Sequence, residues 1–193
     1  MAVARKFEKC ALVIGILSSL EEKRDELLNL LEKDFGPILH VSRTLDFPYT
    51  DYYDKEMSGH PVRYLIMFSN SVDPALLADY KMCTNEIEHI FENEAGRRIN
   101  IDPGVLSLSN FVLASCKNRS HRIALKSGVY AELTLIYQNK DFQCLPWTYA
   151  DYASEEVKEI LRFFRTEYKS RLVIAETKKQ CLTENGQSCT CKP

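Results

Sequence analysis

The chain has few glycines, and their positions exclude two classes of phosphate-binding protein. The seven glycines stand at positions 15, 36, 59, 96, 104, 128 and 186. Neither GxxxxGK[ST] nor GxGxxG can be written with them, so the sequence lacks a P-loop and a dinucleotide-binding fingerprint. It also lacks HExxH and GxSxG, the motifs of zinc proteases and of α/β-hydrolases.

A strong net charge and a long apolar segment are missing too. The chain carries 25 basic and 27 acidic residues, for a net charge of -2, so no basic face is expected to gather nucleic acid. The apolar run from Cys10 to Leu17 is too short for a membrane span or a signal-peptide core. We therefore expect a cytoplasmic protein without a nucleic-acid or membrane partner. No feature predicts its oligomeric state.

The seven cysteines do not form the pattern of a secreted disulfide framework, because their number is odd and they are widely spread. Three of them, Cys181, Cys189 and Cys191, lie in a polar tail of residues 176–193. They could hold a soft metal or form a reversible disulfide, but the paired CxxC spacing of a zinc site is missing. We favour a flexible, reduced tail that follows a single domain of residues 1–175.

Hydrophobic patterning predicts an α+β domain. Ala11–Leu17 is typical of a buried strand, and the polar residues after it begin a helix that ends near Gly36. Further strands are expected at 38–47, 62–68 and 98–102, with a second helix from Asp73 to Gly96. The order strand, helix, strand, strand, helix, strand is that of a ferredoxin-like antiparallel sheet with helices packed on one face.

A C-terminal β-hairpin and a long helix are expected to complete the domain. Residues 106–117 fit either a helix or a strand, and we favour a short helix. Ser127-Gly128 is a tight turn between strands 121–126 and 129–137. The last helix runs from Ser154 to about Val173.

The hairpin register predicts which polar side chains share a face. If Ser127-Gly128 forms a two-residue turn, counting outward places His121 opposite Thr134. His121, Tyr130, Glu132 and Thr134 then point to one side, with His121 and Glu132 within hydrogen-bonding reach. Such a pair can act as a general base, and it can equally be a structural bond between two half-buried groups.

Four more residues belong to the predicted site. Asp102, which ends a strand, is a candidate divalent-metal ligand together with the His121/Glu132 pair, although no motif confirms a metal. Asp-Pro-Gly is also ordinary turn chemistry, so Asp102 has a second interpretation. Arg122 is a candidate contact for an anion. Trp147 and Tyr149 are candidates for a stacking wall.

Two segments of the sequence share a pattern. Phe47-Pro-Tyr-Thr-Asp-Tyr-Tyr53 and Leu145-Pro-Trp-Thr-Tyr-Ala-Asp-Tyr152 each contain proline, an aromatic residue, threonine and then Asp-Tyr. Each follows a predicted strand. Aromatic and acidic side chains suit a stacked ring or a sugar, whereas the same loops can also close over a core as structural lids.

Several blocks of the sequence resemble a known prokaryotic family. The blocks are Phe35-Gly-Pro37, Thr50-Asp-Tyr-Tyr-Asp-Lys-Glu-Met57, Asn100-Ile-Asp-Pro-Gly104, Leu113-Ala-Ser115, His121-Arg122, Tyr130-Ala-Glu-Leu-Thr-Leu-Ile-Tyr137 and Leu145-Pro-Trp-Thr-Tyr149. In this order they resemble the family called domain of unknown function 4416, from about Lys9 to Leu172. Members are sometimes labelled GTP-binding, but the resemblance implies no particular activity, ligand or catalytic residue.

The residues lead to the hypothesis of a small-molecule site beside the 121–137 hairpin. The ligand would be anionic or nucleotide-like, and hydrolysis assisted by a divalent metal is one reaction that such residues can carry out. The alternative is a non-catalytic module that docks a partner protein through its aromatic loops and helix faces. An enzyme should place bonded His121 and Glu132 at a concave, partly exposed site near Asp102, whereas a docking module should bury them and expose an apolar patch.

Overall fold

A computed structural model of the chain describes residues 2–49, 57, 59–94 and 96–185. Within these residues the strands are β1 (Cys10–Ser18), β2 (Ile38–Val41), β3 (Leu45–Asp46), β4 (Val62–Val72), β5 (Ile99–Leu106), β6 (Asn110–Ser115), β7 (Ile123–Ala124), β8 (Tyr130–Gln138) and β9 (Asp141–Cys144). The α helices are α1 (Arg24–Phe35), α2 (Leu77–Ile90) and α3 (Glu155–Asn185). No helix in this part of the chain is long and apolar enough to cross a membrane.

These strands form one antiparallel sheet in the order β2-β4-β1-β5-β6-β8-β7, with β3 paired to β4 and β9 paired to β8. The part β2-β4-β1-β5, with α1 after β1 and α2 after β4, has the ferredoxin-like topology. The predicted order of elements is therefore confirmed. The remaining strands extend the sheet beyond β5.

Helices cover both faces of the sheet. Because successive side chains of a strand point to opposite faces, β1 contributes to two cores. Leu12, Ile14 and Ile16 pack with residues of α1 and α2 such as Leu27, Leu31 and Ile87. Ala11 and Val13 pack on the other face with residues of α3 such as Leu161 and Phe164. The prediction that helices lie on one face is right for α1 and α2, and the long helix α3 covers the opposite face.

The prediction of a short helix within residues 106–117 is wrong, because this segment contains strand β6. Phe111 and Leu113 are buried, and the less buried Val112 lies between them. This alternation is the pattern of a strand. β6 pairs with β5 on one side and with β8 on the other, so sheet pairing overrides the helical spacing that the segment also contains.

Several predicted boundaries also differ. β4 runs to Val72 and β5 to Leu106, past the predicted ends at 68 and 102. The predicted strand 38–47 is divided into β2 and β3. The Asp73 carboxylate caps the second helical segment by accepting from the Ala75 amide at 3.0 Å, as expected, but the helix ends at Ile90 rather than at Gly96. α3 continues to Asn185, well past Val173. Residues 175–182 are mostly good helix formers, which extend the helix after its apolar contacts with the sheet end.

The predicted cysteine tail therefore begins inside α3. Cys181 is part of this helix, whereas Cys189 and Cys191 lie outside the described residues. Among the other cysteines, Cys10 is buried and Cys116 and Cys144 are exposed. The flexibility and redox state of residues 176–193 stay predictions.

Pro103 and Gly104 do not form a turn; they lie within β5. The β5–β6 ladder begins only at Gly104, which pairs with Leu113. The Ile101 amide donates to Glu88 at 2.8 Å, and the Ile101 carbonyl accepts from Lys81 at 2.7 Å. Backbone groups alternate in direction along a strand, so the Pro103 nitrogen faces the same side as that of Ile101 and has no hydrogen to donate. β5 and β6 consequently separate at Pro103.

The hairpin between β7 and β8 turns where predicted, but its register is shifted. Ser127 and Gly128 have φ angles of 56° and 75°. The Leu125 amide donates to the Val129 carbonyl at 2.9 Å, so three residues separate the two sides of the hairpin rather than two. Ala124 consequently pairs with Tyr130, one residue away from the predicted register. An extra residue at such a turn is a bulge, which composition alone does not reveal.

Candidate functional site

A pocket of about 270 Å³ lies where β5 and β6 separate. Four aromatic side chains line it: Phe47, Tyr49, Tyr149 and Tyr152. Five charged side chains also line it: Arg63, Asp102, Arg122, Glu132 and Asp151. Mostly apolar walls with a few convergent polar groups are typical of small-molecule sites. We call this cavity the pocket.

Both segments with the shared sequence pattern contribute to the pocket. Phe47 and Tyr49 come from the first segment, and Tyr149, Asp151 and Tyr152 come from the second. The following residues of the first segment, 50–53, lie outside the described residues. The two loops thus supply the aromatic side chains of the pocket. This placement fits the stacking interpretation, and the burial of Tyr152 in the core also fits a structural lid.

Glu132 stands at the centre of the polar wall. Its side chain is 1% exposed, and its Oε2 atom accepts from His121 Nε2 at 3.0 Å and from Arg122 Nε at 2.7 Å. Because an ionised carboxylate only accepts, we assign the proton of the His121 ring to Nε2. Glu132 Oε1 is buried without a hydrogen-bond partner among the described residues. A buried acceptor without a partner lowers the stability of a fold by about 1–3 kcal/mol. A hydrogen-bond donor to Oε1 would recover that stability.

Arg122 forms hydrogen bonds that link several walls of the pocket. Its side chain is 2% exposed. Besides Glu132, it donates to Ser115 Oγ at 2.8 Å, to the Lys117 carbonyl and to the Tyr149 hydroxyl. Burial lowers the pKa of Arg122, but the bonds to Glu132 and Tyr149 outweigh burial and raise the pKa overall. Most of its donors are thus engaged inside the protein, and its predicted role as an anion contact stays a prediction.

The two tyrosines of the second loop keep their protons. Burial raises the pKa of Tyr149 above its usual value, against the opposing effect of Arg122. Burial also raises the pKa of Tyr152, whose hydroxyl has no hydrogen-bond partner among the described residues. Since the Tyr149 oxygen accepts from Arg122, its own proton can be donated into the pocket.

A buried ion pair forms another part of the pocket wall. Arg63 Nη2 lies 2.5 Å from Asp151 Oδ2, and Arg63 Nη1 lies 3.9 Å from Asp102 Oδ2. The guanidinium group also lies 5.2 Å from the centre of the Tyr152 ring. Sequence reasoning missed Arg63, Asp151 and Tyr152. A usable signal was the charge of Arg63 within the otherwise apolar segment 62–68, since a charge on a buried strand needs a partner.

The structure brings together only part of the predicted site. Asp102, Arg122, Glu132 and Tyr149 line the pocket, and His121 lies behind Glu132. Tyr130, Thr134 and Trp147 are not among the residues that line it. Thr134 is fully buried, and Tyr130 pairs with Ser115 and Ala124 within the sheet.

Trp147 forms a wall for His121 rather than for the pocket. The two rings are stacked, with centroids 4.9 Å apart and planes 9° from parallel. The indole N–H donates to the Leu133 carbonyl at 2.8 Å. Trp147 therefore holds the imidazole that bonds to Glu132.

The three predicted metal ligands do not assemble. The described residues contain no group of three or more His, Cys, Asp or Glu side chains that could hold a metal ion. Asp102 instead accepts from Asn100 at 2.6 Å and lies 3.8 Å from Lys81 Nζ. The carboxylate is thus surrounded by donors and cations.

A comparison with known proteins identifies the family of the chain. No curated protein and no solved structure matches it. A family model described as a domain of unknown function (DUF4416) matches residues 8–168, a span that includes the whole described sheet and all residues that line the pocket. The chain therefore belongs to the family of domain of unknown function 4416.

Proposed function

We propose that this protein binds a small planar ligand with N–H donors, the chemistry of a nucleobase or nucleotide, in the pocket beside the 121–137 hairpin. The observation that carries the proposal is Glu132 Oε1, a buried acceptor at the pocket wall without a partner among the described residues. Its neighbour Oε2 is held by His121 and Arg122. Because Oε1 is buried, neighbouring side chains would have to move slightly for a ring N–H of a bound ligand to satisfy it.

The other walls fit the same ligand. A volume of about 270 Å³ is close to the lower end of small-molecule pockets, which start at roughly 300 Å³. Flat rings stack well on aromatic side chains, and the two repeated loops provide four of them. Three carboxylates and two guanidinium groups line the pocket, so the pocket suits an uncharged ring better than an anion.

The proposal concerns binding, and catalysis by His121 and Glu132 stays a prediction. Glu132 is held in ion pairs on one oxygen only, so Oε1 could accept a proton as well as a hydrogen bond. We do not propose metal-assisted hydrolysis, because Asp102 lies among cations rather than beside the His121/Glu132 pair.

The docking-module alternative has weaker support. Phe163, Val173 and Ile174 on α3 are about half exposed. Phe163 and Ile174 fall on one face of the helix, but Glu167 and Ser170 lie between them. A continuous apolar stripe of the kind that docks a partner is therefore interrupted there.

A nucleoside panel tests the proposal. Trp147 is the single tryptophan and contacts His121, so its fluorescence reports on the Glu132 wall. Guanosine, inosine, uridine, adenosine and cytidine are titrated into the protein at constant ionic strength. We expect a saturable change in fluorescence and a higher melting temperature for at least one nucleoside with a ring N–H. The proposal fails if none of the five binds.

Ala150 provides a matched pair of variants. Its side chain is exposed and lines the pocket, so Ala150→Phe adds bulk at the pocket wall without removing a buried contact. This variant should bind the active nucleoside at least about tenfold more weakly, whereas Ala150→Ser should bind it like the wild type. Equal binding by both variants would place the ligand elsewhere.

A further inference from the structure

A second cavity opens on the far side of the gap between β5 and β6. We call it the notch; its volume is about 160 Å³. Asp102 and Ser115 line both the pocket and the notch, so the two cavities are neighbours at the position where the β5–β6 ladder has ended. A ligand that reaches from one cavity to the other would pass these two residues.

The two cavities differ in the sign of their charge. The charged lining of the pocket has two basic and three acidic side chains. That of the notch has three basic side chains, Lys81, Arg97 and Lys117, and two acidic ones, Glu88 and Asp102. Asn85 and Ser115 add an amide and a hydroxyl group to the notch. Acidic side chains thus outnumber basic ones in the pocket, and basic side chains outnumber acidic ones in the notch.

Two cations of the notch, Lys81 and Arg97, are held in place by bonds within the protein. Lys81 is buried and donates to the Ile101 carbonyl at 2.7 Å and to Glu88 at 3.2 Å. Arg97 Nη1 donates to Asn100 at 2.6 Å and lies 3.4 Å from Glu88. These contacts fix the positive charges before any ligand arrives, which reduces the entropy that binding would otherwise cost.

We propose that the notch binds an oxyanion, the phosphate or carboxylate group of the same ligand whose ring lies in the pocket. This assignment rests on the proposed function. Lys117 is exposed and Asn85 is half-buried, and both line the notch. They would contact the oxyanion directly, while Lys81 and Arg97 would stabilise it by charge from behind.

The first test uses small anions as probes. Inorganic phosphate, pyrophosphate and acetate are titrated at constant ionic strength, with thermal stabilisation as the readout. The wild type should be stabilised saturably by at least one of them, and the comparison of phosphates with acetate identifies the anion class. Lys117→Ala should weaken this binding about tenfold. Lys169→Ala removes one exposed lysine of α3 and should leave it unchanged.

Two results would overturn the proposal. One is the absence of any saturable effect of the three anions on the wild type. The other is equal anion binding by Lys117→Ala and Lys169→Ala, which would indicate general screening of surface charge rather than a site.

A second test separates this proposal from the proposed function. The monophosphate of the active nucleoside should bind the wild type more tightly than the nucleoside does, and Lys117→Ala should remove that preference while leaving nucleoside binding intact. Ala150→Phe should lose the nucleoside but retain inorganic phosphate. If no nucleoside binds while phosphate still distinguishes Lys117→Ala, the proposed function fails and the oxyanion site stands. If nucleosides bind without any preference for the monophosphate, the oxyanion site is wrong and the proposed function stands.

Discussion

Asp102 and Ser115 would face each other two positions beyond Gly104 and Leu113, the last residues paired between β5 and β6, and instead they line a gap. Pro103 cannot donate the next ladder bond, and Lys81 and Glu88 take the backbone groups of Ile101. One proline and one buried ion pair thus open the sheet at the position where the polar side chains converge.

The contact between Gly15 and Tyr152 leads to the first prediction. A Cβ atom at position 15 would collide with the Tyr152 hydroxyl and would lie 2.9 Å from Arg63 Nη1. Gly15→Ala should therefore destabilise the protein by about 1–3 kcal/mol, the usual cost of overpacking. Urea denaturation measures this change. Gly59→Ala is the control, because a Cβ there makes only an ordinary contact at 3.6 Å; equal stability of both variants would contradict the contact.

The second prediction concerns the double role of Glu132. Glu132→Gln removes the charge that pairs with buried Arg122, so the free energy of unfolding should fall by about 3 kcal/mol. The control is Glu159→Gln on α3, whose ion pair with Arg43 is 3.5 Å long and largely exposed. That variant should change stability by less than about 0.5 kcal/mol. If both variants unfold at the urea concentration of the wild type, the Arg122–Glu132 pair is not a structural element.

The third prediction concerns the pH dependence of the stability of the fold, to which Arg162 contributes. A hydrogen bond from Arg162 lowers the pKa of Asp141 below 3.8 and that of Glu155 below 4.5. Depressed carboxyl pKa values stabilise the fold above the unfolded-state values, and this contribution is lost as the pH falls through the folded-state values. Both carboxylates are substantially exposed, so the effect is small.

Arg162→Gln should therefore narrow the difference between stability at neutral pH and stability at acidic pH. Thermal unfolding is recorded as the pH is lowered below 4.5, the usual pKa of Glu155. The wild type should lose more stability over this range than Arg162→Gln, and Arg43→Gln should follow the wild type. Parallel pH profiles for all three proteins would show that Arg162 does not hold the two carboxylates.

The fold was largely predictable because it depends on local patterns. The apolar run of β1, the Asp73 cap and the apolar spacing of α2 each point to the observed element. The errors occur where contacts between residues far apart in sequence determine the secondary structure. β6 is a strand because two neighbours pair with it. The Asp-Pro-Gly segment is a strand because β1 pairs with it, while Lys81 and Glu88, 20 and 13 residues away in sequence, satisfy the backbone of Ile101 beside it.

The site was predictable only in part for a related reason. The bond between His121 and Glu132 was expected and is present, although the hairpin register behind that expectation is off by one residue. His121 reaches Glu132 from a turn before β7, so its position does not depend on the register. The Arg63–Asp151 pair joins residues 88 positions apart, and no local pattern connects them.

Native mass spectrometry in the presence of a nucleoside mixture tests the central claim most directly. Because Glu132 also supports the fold, the comparison uses the wild type, Ala150→Phe and Ala150→Ser. The account predicts one nucleoside bound per chain in the wild type and Ala150→Ser, and none in Ala150→Phe. Bare protein in all three samples, or equal occupancy in all three, would contradict a ligand site in the pocket.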